Sequence, residues 1–165
     1  MLAVVADRDG RPISIHRTYV RADGTGKAPV PSPRKLMAHA GPAPLAGAAI
    51  RLCPAASDLG IAEGIETALA VRAITGMRVW ACVSATLLRG FEVPSGVERL
   101  IVWADKDRSG AGEAAAAVLQ ARLAEVVDVQ VRLPKAPIPA TARGIDWADV
   151  WLRQRPLGHV GSATA

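Results

Sequence analysis

Polarity runs along this chain in two rhythms. Residues 2–6 are apolar, Asp7-Arg8-Asp9-Gly10 is a turn signature, and residues 13–20 alternate as Ile-Ser-Ile-His-Arg-Thr-Tyr-Val. A period of two marks half-buried strands, so these runs predict a β-hairpin. Asp23-Gly24-Thr25-Gly26 closes that unit with another turn, and the proline-rich, basic residues 26–35 predict a loop or arm. Residues 47–52 read as another strand. Beyond residue 58 the rhythm changes to short unbroken apolar runs separated by alanine-rich segments of helical period. Runs at 59–62, 79–83, 100–104 and 127–133 have the length of strands buried on both faces. The helix after Gly64 aligns Ile65, Leu69 and Ala73, with Ala68 and Arg72 beside them, and ends near Gly76. The helix from Ala111, started by Ser109 or Gly110, turns Val118, Leu119, Leu123 and Val126 inward. Residues 84–90 read as a short helix or loop, and residues 134–139 as a proline-rich loop. Residues 144–151 open a last short helix, with Asp146 as its cap and its tryptophans plugging the sheet edge.

Strands alternating with helices predict an α/β fold with a mainly parallel, four-stranded sheet flanked by helices, and an N-terminal β-hairpin appendage. The expected division is a basic N-terminal segment over residues 1–57, a catalytic domain over 58–154, and a flexible tail over 155–165.

Composition changes that picture in two places. Half of the 165 residues are hydrophobic but only 4% are aromatic, so the core is expected to be built mainly from Ala, Val, Leu and Ile. No apolar run approaches a membrane span, and Asp7 and Arg8 break the start too early for a secretory signal. Cys53 and Cys82 lack metal-site spacing and read as buried thiols in a reducing cytoplasm. The net charge of +5 sits entirely before residue 58, where eight basic residues face three acidic ones. A basic appendage suits a polyanionic partner. Gly26-Lys27 is no phosphate loop, because Ala28 stands where a hydroxyl residue must follow the lysine.

The candidate chemistry lies at two strand-to-helix junctions. One run ends on Glu63-Gly64, and another delivers Asp105 and Asp107 before a glycine turn at Gly110. In a parallel sheet the carboxyl ends of neighbouring strands lie side by side, and ligands collect there. Asp105 and Asp107 point the same way only while the chain stays extended. Three crowded carboxylates repel unless protonated or neutralised, and hard oxygen donors with room for water and phosphate suit Mg²⁺ or Mn²⁺.

The segments A-E-G-I-E-T-A-L-A and V-W-A-D-K-D-R-S-G-A-G together resemble the Toprim domain, most closely that of the phage- and plasmid-type, DnaG-like DNA primase family. The resemblance spans about Leu59 to Trp151. The segments I-H-R-T-Y, G-K-A-P and P-R-K resemble the region preceding that domain in some phage and plasmid relatives, and Asp-Trp-x-Asp the element that closes it. The resemblance implies primase-like nucleotidyl transfer, making a short primer on single-stranded DNA from nucleoside triphosphates, with a helicase or other replication protein as possible partner. It implies Glu63, Asp105 and Asp107 as the catalytic, metal-binding acids: Glu63 as a metal ligand or general base, Asp105 as a principal Mg²⁺ ligand, and Asp107 for a second metal or its water shell. Arg17, Lys27, Arg34, Lys35, Lys106 and Arg108 are candidates for phosphate contact, His16 and Tyr19 for base stacking. Glu66, Asp146 and Asp149 are second-choice acids. No zinc-ribbon cysteines or helicase motif accompany them, so a fragment or subunit of a larger replication protein is expected. A Toprim nuclease, or a non-catalytic DNA-binding or assembly module, is the alternative; the single Tyr19 argues against topoisomerase chemistry.

Overall fold

Strand β1 (Leu2–Ala6) pairs antiparallel with β2 (Pro12–Thr18), and β2 with β3 (Arg34–Leu36), giving a three-stranded sheet in the order β1-β2-β3. The predicted hairpin thus gains a third strand from the basic segment. The computed structural model describes residues 1–38 and 45–154. The expected tail at 155–165 lies outside the described residues. The strand expected at 47–52 is reduced to two single bridges, Ala6 to Ala49 and Ile50 to Ala81. These bridges tie the small sheet to the rest of the fold.

The larger unit begins with β4 (Asp58–Ala62), α1 (Ile65–Thr75), β5 (Val79–Ala81) and α2 (Ala85–Arg89). It continues through β6 (Arg99–Trp103), β7 (Lys106–Asp107), α3 (Ala111–Leu123) and β8 (Asp128–Arg132). The short strand β9 (Gly144–Ile145) and helix α4 (Trp147–Gln154) follow. Four strands pair in parallel in the order β5-β4-β6-β8, while β7 and β9 form a small antiparallel pair. This is the mixed α/β architecture that the sequence predicts.

Side chains alternate across each strand, so the sheet feeds two cores. Leu59, Ile61, Leu100, Val102 and Val129 pack with Trp80, Phe91, Leu119 and Leu123. On the other face Ala62, Val79 and Ala81 pack with Ile65, Ala68 and Val71 of α1 and with Val5 and Ile13 of the small sheet. The helices bury different faces from those expected. α1 buries Ile65, Thr67, Ala68, Ala70 and Val71, leaving Leu69 48% exposed and Ala73 outside. α3 buries Gly112, Ala115, Ala116, Leu119 and Leu123, leaving Val118 52% exposed, and it ends before Val126, which is 69% exposed in the following turn. Each residue step turns a helix by about 100°, so a neighbour of a buried position swings to the rim of the stripe.

Trp147 also differs from expectation. Its ring meets Trp103 edge-on at 4.7 Å, and its indole N–H donates to the Ala104 carbonyl at 3.2 Å. It therefore seals the end of a central strand rather than the sheet edge.

Candidate active site

Register decides which side chains meet. Ala62 at the end of β4 pairs with Trp103 at the end of β6, so Glu63 and Asp105 leave the sheet from adjacent parallel strands. Gly64 then caps α1 in an extended conformation, which places Glu66 and Thr67 on the helix's first turn. These residues line a cleft of about 200 Å³ made by Glu63, Gly64, Glu66, Thr67, Asp105 and Asp146, with Lys27 and Arg34 from the N-terminal segment.

Burial pushes the Asp105 carboxyl up to about 7; the negative charges of Asp146, Glu63 and Asp107 add to the shift, and a hydrogen bond from the Thr67 hydroxyl at 3.3 Å opposes it. Glu63 is likewise raised, first by burial and also by the charge of Asp107, against the pull of Arg34 and the Ala85 amide. That amide is presented by a turn through Val83, whose φ of 70° is strained for a β-branched residue. Burial would raise Glu66 too, but Lys27 at 2.7 Å and the Arg34 charge outweigh it and hold the carboxyl below its usual range.

Asp107 does not line the cleft. Its carboxylate accepts from the Ser109 amide (2.8 Å) and hydroxyl, and from the Ala111 and Gly112 amides at 3.3 and 3.2 Å. These bonds, the Ser109 hydroxyl first, lower it to about 2, so it is an ionised anchor for the start of α3. Gly112 is required there: a Cβ would stand 2.5 Å from the Asp105 carbonyl oxygen, so only glycine lets α3 approach that strand end.

Asp146 is both a wall of the cleft and the cap of α4. Its carboxylate accepts from the Asp149 amide at 2.8 Å, while Asp149 accepts from the Asp146 amide at 3.2 Å. This reciprocal arrangement is a capping box, and it occupies Asp149 outside the cleft.

The cations part company. On β2 and β3, Thr18 pairs with Arg34 and Arg17 with Lys35, so Arg34 projects to the buried face and Arg17 and Lys35 to the opposite one. Tyr19 and Lys35 border an outer hollow with Val30, Pro31 and Ser32. His16 is buried at 6% exposure, 3.5 Å from the Thr18 hydroxyl, with burial lowering its pKa; it presents no free ring for a base. Lys106 and Arg108 turn to loop carbonyls, Lys106 to Ala136 at 3.3 Å and Arg108 to Pro139 and Ala142, each at 3.1 Å.

Sequence reasoning passed over Thr67 and Gly112. The signal for Thr67 was its place on the first turn of the helix that follows Glu63; nothing local marks Gly112 as a contact between elements.

Among the described residues no group of three or more acidic, His or Cys side chains is arranged to hold a metal ion. Glu63 and Asp105 nevertheless suit a hard divalent cation, which favours the ionised form of carboxyls that burial penalises. Mg²⁺ is commonly held by only one or two carboxylates, with water and phosphate completing its shell.

The Toprim domain model matches residues 58–156, well over half of the chain. A domain of unknown function (DUF7146) matches residues 1–52. No curated protein sequence matches the chain. A DNA primase domain from Pseudomonas aeruginosa is similar in structure, with a TM-score of 0.57 at 13% identity, over 93% of this chain and 46% of that one. The RNA polymerase domain of Mycobacterium tuberculosis primase DnaG is similar at a TM-score of 0.54 and 17% identity, over 93% of this chain and 50% of that one. The chain thus spans about half the length of these primase domains. The parallel sheet, the acid-bearing strand ends and the match over residues 58–156 agree: the chain belongs to the Toprim domain family.

Proposed function

We propose that this Toprim domain carries out divalent-metal-dependent nucleotidyl transfer on DNA, building a short primer on a single-stranded template from nucleoside triphosphates. One observation carries the reading: a single cleft joins two carboxyls that burial disfavours as anions, Glu63 and Asp105, to two cations, Lys27 and Arg34. Mg²⁺ or Mn²⁺ held by Glu63 and Asp105 would neutralise phosphate charge during displacement at phosphorus. Lys27 and Arg34 then bind triphosphate oxygens as a point charge and a fork. Glu63, a carboxylate on the cleft wall, takes the proton of the attacking 3′-hydroxyl as pyrophosphate leaves the phosphorus. Thr67 orients Asp105 through its hydroxyl, and Asp107 serves the same site as a fixed outer charge. Lys106 and Arg108 brace the loop at residues 136–142 beside it. Arg17 and Lys35 hold the template backbone from the outer face without reading its sequence. On this reading the domain works in the cytoplasm as part of a larger replication protein or assembly, with a helicase or other replication protein as partner; the primase domains that share its fold are about twice its length. No helix among the described residues is long and apolar enough to cross a membrane.

Incubation with labelled nucleoside triphosphates, Mn²⁺ and single-stranded DNA, beside a pre-labelled strand, tests the reading on one gel. Short labelled products that Asp105→Asn abolishes are expected. Shortening of the pre-labelled strand instead would make the protein a nuclease, and the absence of both reactions would overturn an enzymatic role for the chain.

A further inference from the structure

The acidic cleft does not end at its charged wall. Lys27 and Glu66, paired at 2.7 Å, also border a second hollow of about 390 Å³, formed with Val20, Gly24, Gly26, Ile65 and Leu69. The two spaces share one salt bridge as their partition and differ sharply in character. One side is lined by carboxylates and cations, the other mainly by aliphatic side chains and glycine backbone.

We propose that this hollow is the subsite for the base of the incoming nucleoside triphosphate, a claim that rests on the phosphoryl-transfer reading of the adjacent cleft. A nucleotide is itself divided in this way: a polyanion that needs metal and cations, and an apolar, flat heterocycle one sugar away. With the phosphates among Glu63, Asp105, Lys27 and Arg34, the sugar crosses at the Lys27–Glu66 pair and the base falls against Leu69 and Val20. Leu69 is the outward residue of α1's first turns, 48% exposed, and it faces this space instead of the core. Gly24 and Gly26 keep the opposite lip thin, since a Cβ at either position meets nothing within 4 Å. The volume falls in the range of small-molecule sites, which pair a largely apolar lining with a few placed polar groups.

The glycine geometry supplies a clean probe. Gly26→Leu adds bulk at the hollow's edge from a Cβ position with no protein atom within 4 Å, and Gly26 does not adopt the left-handed backbone of Gly24. Leu69→Gln removes apolar surface at an exposed helical position that glutamine tolerates well. Calorimetric titration of the full chain in Mn²⁺ compares ATP with inorganic triphosphate, folding of each variant being checked by circular dichroism. The unsubstituted protein is expected to bind ATP about tenfold more tightly than inorganic triphosphate, the scale on which an apolar pocket discriminates. Both variants should erase that advantage while inorganic triphosphate binds as before, and Asp105→Asn should weaken both ligands. Equal affinity for the two ligands in the unsubstituted protein overturns the base subsite and leaves the cleft reading intact. So does a parallel loss of both ligands in Leu69→Gln and Gly26→Leu. Failure of the unsubstituted protein to bind either ligand removes the phosphoryl-transfer reading, and the subsite with it.

Discussion

Replacing Asp105 by Asn should make the metal-free protein more stable, and only above acidic pH. Burial and the neighbouring charges of Asp146, Glu63 and Asp107 raise the carboxyl from 3.8 in the unfolded chain to about 7 in the fold. The folded state therefore holds its proton more tightly than the unfolded state does. The linkage follows: Asp105's contribution is most favourable below pH 4, declines as pH rises through the interval, and settles at its least favourable value above about 7. At 1.36 kcal/mol per pH unit that interval caps the penalty near 4 kcal/mol, and screening by solvent at the cleft mouth brings it to about 2–4 kcal/mol. Asn keeps an acceptor for the Thr67 hydroxyl and carries no charge, so the variant escapes the penalty. Urea unfolding of both proteins in EDTA, at a series of pH values from 3.5 to 8, reads the effect as a difference between midpoints. The two curves should nearly coincide at the acid end and diverge in favour of the Asp105→Asn variant by pH 8. A difference that stays constant across the series would refute the placement of this carboxyl in a charge-crowded, half-dry cleft.

Gly112→Ala should drive α3 away from the Asp105 carbonyl, lowering stability by about 1–3 kcal/mol in thermal or urea unfolding, whereas Gly110, with open space around it, is strained only by its φ of 71°. Neutralising Lys27 and Arg34 together as methionines should tighten Mn²⁺ binding, because two competing cations leave the cleft, while weakening triphosphate binding; calorimetry with each ligand separates the two effects. Arg17→Gln with Lys35→Gln should flatten the salt dependence of single-stranded DNA binding by about 0.7 in the log–log slope for each phosphate no longer neutralised, without changing Mn²⁺ affinity. An unchanged slope would make the outer face a solvated surface.

Much of the fold was legible because the strands that build it are local signals. Unbroken apolar runs ending on Glu63 and Asp105 gave the buried parallel pair, and the register of Ala62 with Trp103 then brings their following acids together. Helix starts at Gly64 and Gly110 were readable from glycine at the junctions. What stayed hidden depends on packing between distant segments. The sequence presented Arg17, Lys27, Arg34 and Lys35 as one basic group, but strand alternation sends Arg34 toward the acids and Arg17 and Lys35 away from them. Asp107 reads as a further metal-binding acid beside Asp105 until the turn at Ser109 and Gly110 folds the α3 amides onto its carboxylate. Leu69 reads as a core residue at helical spacing, and only packing of α1 through its small side chains leaves it outside. The predicted strand at 47–52 fails because its residues bridge two different sheets one residue at a time.

The most direct test is a titration of the metal-free protein with Mn²⁺, followed by the loss of the free-ion electron paramagnetic resonance signal. Saturable binding is expected in the unsubstituted chain, with Asp105→Asn and Glu63→Gln each weakening it by about tenfold or more while circular dichroism shows the fold retained. Binding that both variants leave unchanged, or no saturable uptake by the unsubstituted protein, would contradict a metal-dependent site at these two strand ends.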